Sequence, residues 1–257
     1  MEKKRMTLSV ALAVFNEEEN LNACLSSIQS IADEIIIVDG GSSDKTLEIA
    51  RQYKAKIIKT NNPPIFHLNK QKALDACSCD WILQLDADEI IPGALKGEIT
   101  DVIINSPAGT NGYYIPRKNY FWGHVMKKGG QYPDYVIRLV RRGRARFPCK
   151  SVHEQIDING RVDYLKEPMD HISYRTTGDY WRKADSYTTL TALNLKSKNV
   201  PKTLFSWVIY NVHKPFVTFF SLFIRHKGFI DGWYGMVFAY WSSLHYPIAY
   251  KKYLQMK

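Results

Sequence analysis

Within the first ninety residues, short apolar runs alternate with segments of helical spacing, and that alternation constrains the fold more than anything else in the chain. Leu8–Val14, residues 35–38, Lys56–Lys59 and the run of Trp81, Ile82, Leu83 and Leu85 read as strands, being short, apolar and rich in β-branched side chains. Between them Leu21, Leu25 and Ile28 recur at helical spacing, and residues 45–52 and 68–76 read as two further helices. Asn16 is the expected N-cap of the first helix, with Glu17, Glu18 and Glu19 in its opening turn. Ser43 or Asp44 is expected to cap the second. Strands in strict alternation with helices require right-handed crossovers, which predicts a parallel sheet covered by helices. Ligands of such sheets bind beyond the carboxyl ends of the strands.

Asn16, Glu17, Asp39 and Asp86 all stand at those ends. Four acid or amide groups at successive strand exits point to one shared site more strongly than any of them alone. The exit at Asp86-Ala87-Asp88-Glu89 is the densest, with three carboxylates in four residues. On an extended backbone Asp86 and Asp88 would point the same way and repel unless a cation or hydrogen-bond donors compensate. A hard divalent ion takes one or two carboxylates together with phosphate oxygens, so a metal–diphosphate site fits. An acidic turn with Asp88 or Glu89 near the next helix N-terminus fits the same residues, and at this level both readings stand. A glycine-rich dinucleotide fingerprint and a P-loop lysine are both absent, so a phosphate ligand would depend on metal and basic side chains.

Hydrophobic content of 45% supports a sizeable core and excludes global disorder. The four cysteines are too few and scattered for a disulfide framework, and Cys77-x-Cys79 has no second pair for zinc. A reducing, cytoplasmic compartment is expected, and the start of the chain shows no signal-peptide pattern. The formal net charge of +10 is unevenly spread. Residues 1–110 hold 11 Lys and Arg against 16 Asp and Glu, a net −5, whereas residues 111–257 carry +15. The second half therefore meets something anionic: nucleic acid, an acidic membrane surface or a phosphorylated substrate.

Beyond Gly112 the pattern changes. Residues 113–116 and 136–140 read as strands, and the loop at 119–134 gathers aromatic and basic side chains suited to stacking on a sugar and touching phosphate. Arg138, Arg141, Arg142, Arg144 and Arg146 give five arginines in nine residues. Strand alternation would set Arg138 on one side with Arg142, Arg144 and Arg146. No nucleic-acid module surrounds them, so nucleic acid is not expected as a partner. Val152-His153-Glu154 and Asp170-His171 are two further constellations. Imidazole tolerates Mn²⁺, so His171 can be a metal ligand, although a lone histidine is more often structural. Residues 178–198 read as a helix ending before Asn199 and Pro201.

The C-terminal stretch is crowded with aromatic and aliphatic side chains, punctuated by Lys202, Lys214, Arg225, Lys227, Lys251 and Lys252. Apolar runs at 203–212 and 215–224 are too short to span a bilayer, and residues 232–250, free of Asp, Glu, Lys and Arg, contain His245 and Pro247. Helices lying in the membrane interface suit this composition; a packed appendage and true spanning helices are the alternatives.

Residues 10–20 (VALAVFNEEEN), 37–46 (IVDGGSSDKT) and 83–89 (LQLDADE) together resemble an inverting family-2 glycosyltransferase. The second half, with Arg138-Leu139 and Val152-His153-Glu154, resembles the bacterial lipopolysaccharide-core β-glucosyltransferase branch. The resemblance implies the GT-A fold, a Rossmann-like mixed α/β sheet, here with a C-terminal helical appendage. It implies a nucleoside pocket lined by Phe15, Asn16 and Glu17, with Asp39 accepting a hydrogen bond from the base, typically uracil. Asp86 would face the ribose or the metal, Asp88 would ligate the metal, and Lys72 would approach the nucleotide. Ala87 and Arg138 complete the expected nucleotide site, and Asp86, Asp88 and His171 the expected metal set. Glu154 is the expected general base for the acceptor hydroxyl.

These readings converge on an enzyme that uses Mn²⁺ or Mg²⁺ to move a sugar from a nucleotide-sugar donor to a lipid-linked or lipopolysaccharide-core acceptor. It would be peripheral on the inner, anionic face of the cytoplasmic membrane. Residues 1–110 are expected to bind the donor, 111–200 the acceptor and 201–257 the membrane interface. A nucleotidyltransferase, or a non-catalytic membrane or nucleic-acid adaptor, are the competing functions.

Overall fold

The computed structural model describes residues 6–63, 65–149 and 155–256. The chain forms two compact units: Met1–Arg117 with Tyr135–His171, and Lys118–Asp134 with Ile172–Lys257. The first unit opens with β1 (Leu8–Val14), α1 (Leu21–Ile28), β2 (Glu34–Asp39), α2 (Thr46–Gln52), β3 (Lys56–Lys59), α3 (His67–Asp75) and β4 (Trp81–Leu85). Then come β5 (Glu89–Ile90), α4 (Gly93–Asn105), β6 (Thr110–Phe121), β7 (His124–Val125), β8 (Asp134–Arg141), β9 (Ala145–Arg146), β10 (Asp157–Ile158), β11 (Arg161–Tyr164) and β12 (Met169–Tyr174). Helix α5 (Thr177–Ser197) follows, and the C-terminal helices begin at Leu204.

Among the described residues the main sheet runs β3-β2-β1-β4-β8-β6-β12-β5. The first four strands are parallel, as the alternation of elements requires, and β8 then pairs antiparallel with β4. Strand β1 is buried at all but one position and apolar except at Ser9, because helices cover both faces of this part of the sheet. Leu12, Leu25, Ile37, Trp81 and Leu85 are fully buried in one core layer, and Ile36, Ala73 and Val140 in the layer on the other face. Trp81 carries the guanidinium of Arg141 4.7 Å above its ring. No disulfide forms among the described residues; Cys24, Cys77 and Cys79 are buried, and burial raises the Cys77 thiol to about 12.

The second unit is built on aromatic contacts. Phe121, almost wholly buried, meets Tyr180, Phe238 and Trp241 edge-on at centroid distances of 5.6–6.1 Å. The loop at 119–134 thus sends Phe121 and Trp122 into this core instead of presenting them to a sugar. Helix α5 starts in a reciprocal capping box, Thr176 with Asp179. Beyond it, residues 204–225 form one long helical run: α6 (Leu204–Val208), a π turn (Ile209–His213), α7 (Lys214–Phe220) and a second π turn (Ser221–Arg225). After a 3₁₀ turn (Gly228–Asp231) come α8 (Gly232–Ser243) and α9 (His245–Gln255), so the uncharged stretch 232–250 is divided between two helices at Leu244. Among the described residues no helix is long and apolar enough to cross a membrane.

Two glycines let the 3₁₀ turn close on its neighbours. A Cβ on Gly235 would overlap the carbonyl group of Gly228, and one on Gly228 would stand 2.7 Å from the carbonyl oxygen of Leu222. Gly235→Ala is therefore expected to destabilise the fold by about 1–3 kcal/mol, despite alanine's better helix propensity. Gly97, inside α4, has nothing within 4 Å of its missing Cβ. Its replacement by alanine should stabilise by about 0.5–1 kcal/mol. Urea denaturation of the two variants checks both signs.

Candidate functional site

The site begins at the exits of β1 and β2, whose loops are laced together. The Asn16 N–H donates to Ser42 Oγ at 2.9 Å, and Asn16 Oδ1 accepts the Ser43 N–H at 2.9 Å. Glu17 N–H donates to Thr46 Oγ1 at 2.7 Å, Glu18 N–H to Asp44 Oδ2 at 3.1 Å, and Lys45 N–H to Glu18 Oε2 at 3.0 Å. Asn16 has φ of 53°, a left-handed conformation that asparagine tolerates. It is a tie between loops, not the expected helix cap; Asn20 stands at the N-cap of α1. Asp39 is 1% exposed, and its carboxylate accepts the N–H groups of Gly41 and Ser42 at 3.1–3.2 Å. Phe15, 42% exposed, stands outside this lacing.

The exit of β4 carries a denser construction. Extended backbone ends at Leu85, and residues 86–88 form a turn, so the alternation expected to align Asp86 with Asp88 does not operate. Arg138, on β8, is 6% exposed and reaches across to this turn. Its Nη2 donates to Asp86 Oδ2 and to Glu89 Oε1, each at 2.6 Å, and its Nη1 donates to Gln84 Oε1. Lys70, from α3, sits 2.5 Å from Asp86 Oδ1. Glu89, fully buried, also accepts the Asp86 N–H at 3.0 Å and lies 3.7 Å from Arg117 Nη1. Burial by itself would raise the Asp86 carboxyl, but Arg138 and Lys70 outweigh it and hold the group well below the usual carboxylate range. Burial likewise disfavours the Arg138 cation, and Asp86 and Glu89 outweigh that, raising its pKa.

Antiparallel pairing of β12 with β5 sets His171 opposite Glu89 and Asp170 opposite Ile90. That register brings His171 Nε2 to 3.5 Å from Asp88 Oδ1, both side chains about 15% exposed. The structure thus separates the two aspartates: Asp86 is committed to Lys70 and Arg138, while Asp88 stands with an imidazole. Asp88 and His171 could supply a carboxylate oxygen and a ring nitrogen to a divalent ion such as Mn²⁺, although no cluster of three or more His, Cys, Asp or Glu side chains placed to hold a metal occurs among the described residues.

The structure places the two lysines of α3 differently, and it corrects the expected face of the arginines. Lys72 donates to Thr60 Oγ1 at 3.0 Å, and the α3 cation at the carboxylates is Lys70, two residues earlier. Arg138 does not share a strand face with Arg142, Arg144 and Arg146, because β8 ends at Arg141 and residues 142–144 turn. Ala87 lies in the turn between the aspartates and is 5% exposed. Glu154 lies outside the described residues. Gln84, Glu89, Lys70 and Arg117 were not among the expected site residues. Gln84 left one signal, a polar side chain inside the otherwise apolar strand WILQL.

Removing Arg138 takes the nearest cation from fully buried Glu89, leaving Arg117 at 3.7 Å, and one of two cations from Asp86, which keeps Lys70. Arg138→Met should destabilise by about 3–5 kcal/mol, and adding Glu89→Gln should return part of that loss. Urea denaturation of the single and double variants measures the coupling; simple additivity would contradict a shared network.

Comparison with known proteins follows the same lines. The family model for glycosyl transferase family 2 matches residues 9–159. The lipopolysaccharide core biosynthesis glycosyltransferase LpsC of Rhizobium meliloti is 29% identical over 262 residues, covering 93% of this chain and 91% of LpsC. An uncharacterized glycosyltransferase of Rickettsia typhi is 33% identical over 73% of this chain and 68% of its own. Among solved structures, residues 1–349 of S. aureus TarS in complex with UDP give a TM-score of 0.50 at 17% identity, covering 87% of this chain and 74% of that one, a likeness of fold. The nucleotidyltransferase and adaptor readings fall against these matches. A family model laid over β1, β2, β4 and the acidic exits between them, across more than half of the chain, leads to one conclusion: the protein belongs to glycosyl transferase family 2 and has a GT-A-like fold.

Proposed function

We propose that this glycosyltransferase is metal-dependent and inverting, and that it moves a sugar from a UDP-sugar to a hydroxyl of a lipid-linked or lipopolysaccharide-core glycan at the inner, anionic face of the cytoplasmic membrane. The observation that carries the reading is the pairing of Asp88 with His171 beside the neutralised Asp86, at the exits of parallel strands. Similarity to LpsC along nearly the whole chain supports the choice of acceptor.

In this reading Phe15, Asn16 and Glu17 form one wall of the nucleoside pocket, and Asp39 accepts a hydrogen bond from the base. Asp39 suits that role because two backbone N–H groups hold its carboxylate in place. Asp86, oriented by Arg138 and Lys70, faces the ribose. Asp88 and His171 hold the divalent cation, which supplies positive charge to the diphosphate leaving group. Glu154 takes the proton of the acceptor hydroxyl as its oxygen bonds to the anomeric carbon and the bond to the diphosphate oxygen breaks on the opposite face, inverting the centre.

Two substitutions test these assignments. Asp88→Ala should abolish transfer and weaken Mn²⁺-dependent UDP binding by about tenfold or more, with the fold intact. Calorimetry with UDP, with and without Mn²⁺, reads this directly, and unchanged binding would remove Asp88 from the metal site. Glu154→Gln should leave UDP affinity near wild type and lower turnover by about 10²–10⁴. Turnover close to wild type would assign the base elsewhere.

A further inference from the structure

The exposed surface of the C-terminal helices is of the wrong kind for water. Leu204, Val208, Val212, Phe216, Phe220 and Ile224 recur every four residues along the run 204–225, and each is 40–78% exposed. In an uninterrupted α-helix such a repeat would drift about 40° around the axis at each step. Here two π turns, at Ile209–His213 and Ser221–Arg225, hold more residues per turn than an α-helix does. They turn the repeat back, and the stripe stays on one side. A second set, Phe229, Trp233, Met236 and Tyr240, is 36–65% exposed along the 3₁₀ turn and α8. A groove of about 370 Å³, walled by Val212, Phe216, Phe220 and Tyr240, lies between α7 and α8. Soluble monomers rarely leave so continuous an apolar surface in water.

Charge says what covers it. Residues 199–257 contain seven Lys and Arg and a single acid, Asp231. Asp231 is 4% exposed and turned inward, accepting the N–H groups of Lys127 and Lys128 at 2.8–2.9 Å and facing His124 Nε2 at 3.2 Å. The outer surface of these helices therefore offers cations without anions, with Arg225 and Lys227 exposed at the end of the stripe. A second copy of the chain would set cation against cation across this face. A sheet of anionic headgroups over hydrocarbon matches both its charge and its apolarity.

We infer that the stripe of 204–224, together with the outer face of α8, is a lipid-docking surface. It seats in the headgroup boundary of an anionic bilayer without crossing it, and Arg225 and Lys227 contact lipid phosphates. The site's connection with a lipid-linked acceptor rests on the function proposed above; the surface itself rests on its own geometry and charge.

Flotation with vesicles of phosphatidylcholine, with and without 30% phosphatidylglycerol (on the order of a bacterial anionic fraction), tests it. The full chain is expected to float with the anionic vesicles, to be released by high salt or carbonate, and to shift its Trp207 and Trp233 emission to the blue. Phe216→Glu with Phe220→Glu, at side chains 60% and 45% exposed, should lower vesicle affinity more than tenfold while leaving the circular dichroism and Mn²⁺-dependent UDP binding unchanged. Arg225→Ala with Lys227→Ala should weaken binding about fivefold per charge and flatten its salt dependence. A wild-type chain that stays at the bottom of the gradient with anionic vesicles would overturn the inference. So would a stable dimer that the Phe216 and Phe220 substitutions dissolve, or flotation that resists carbonate. Flotation by a chain that transfers no sugar to a lipid-linked acceptor would remove the proposed function and leave the docking surface standing. Transfer to a lipid-linked acceptor by a chain that ignores vesicles would do the reverse.

Discussion

The guanidinium of Arg138 spans the exit of β4 and holds Gln84, Asp86 and Glu89 at once. A buried cation is costly unless charge and hydrogen bonds compensate it, and a buried carboxylate such as Glu89 has the same requirement in reverse. Each is a close ionic partner of the other, with Asp86 and Arg117 adding to the compensation. The pairing also fixes geometry, since the planar fork of arginine constrains direction as well as distance. Once Asp86 and Glu89 are held, the intervening turn has little freedom, and Asp88 is delivered to the neighbourhood of His171. The arrangement depends on β8 lying antiparallel beside β4, which places Leu139 opposite Leu83 and so Arg138 next to Gln84. The geometry of this turn is thus set by sheet register.

Much of the first unit was legible in the chain. Strands β1 and β3 lie where the apolar runs predicted, and α1, α3 and β4 begin or end within a residue or two of the expected positions. Continuous apolar runs bounded by Gly, Asn and Asp leave few alternatives when helices intervene. The acidic exits were legible too, because carboxylates at the end of a buried strand are conspicuous. Local patterns alone did not show the geometry set by non-local pairing, and the grouping of Asp88 with His171 came only through the family resemblance. Asp88 and His171 are 83 positions apart in the numbering and meet only through the β5–β12 register. Lys70 and Lys72 are equivalent in composition, and only the rotation of α3 decides which reaches Asp86.

The second unit was harder to read for a different reason. Its aromatic residues satisfy two demands that composition does not separate. Phe121 and Tyr180 are core, while Phe216 and Trp233 face outward. Alternating α and π turns shift which residues of 204–225 share a side, so a fixed 3.6-residue template misassigns the later ones. Strand alternation failed among the arginines on similar grounds: it presumes a straight element, and β8 had already ended at Arg141.

The lacing between the β1 and β2 loops has a thermodynamic consequence. Asn16, Glu17, Glu18, Ser42, Ser43, Asp44, Lys45 and Thr46 reciprocate one another's backbone and side-chain hydrogen bonds before any ligand arrives. Segments that order only on binding subtract their lost conformational entropy from affinity. Here that entropy is surrendered during folding. A nucleoside entering under the proposed reading meets walls already in position, so its recognition draws on the rigidity of the parallel sheet. Affinity for the base and stability of the β1–β2 edge are therefore linked, and whatever loosens one of these loops is felt by the other.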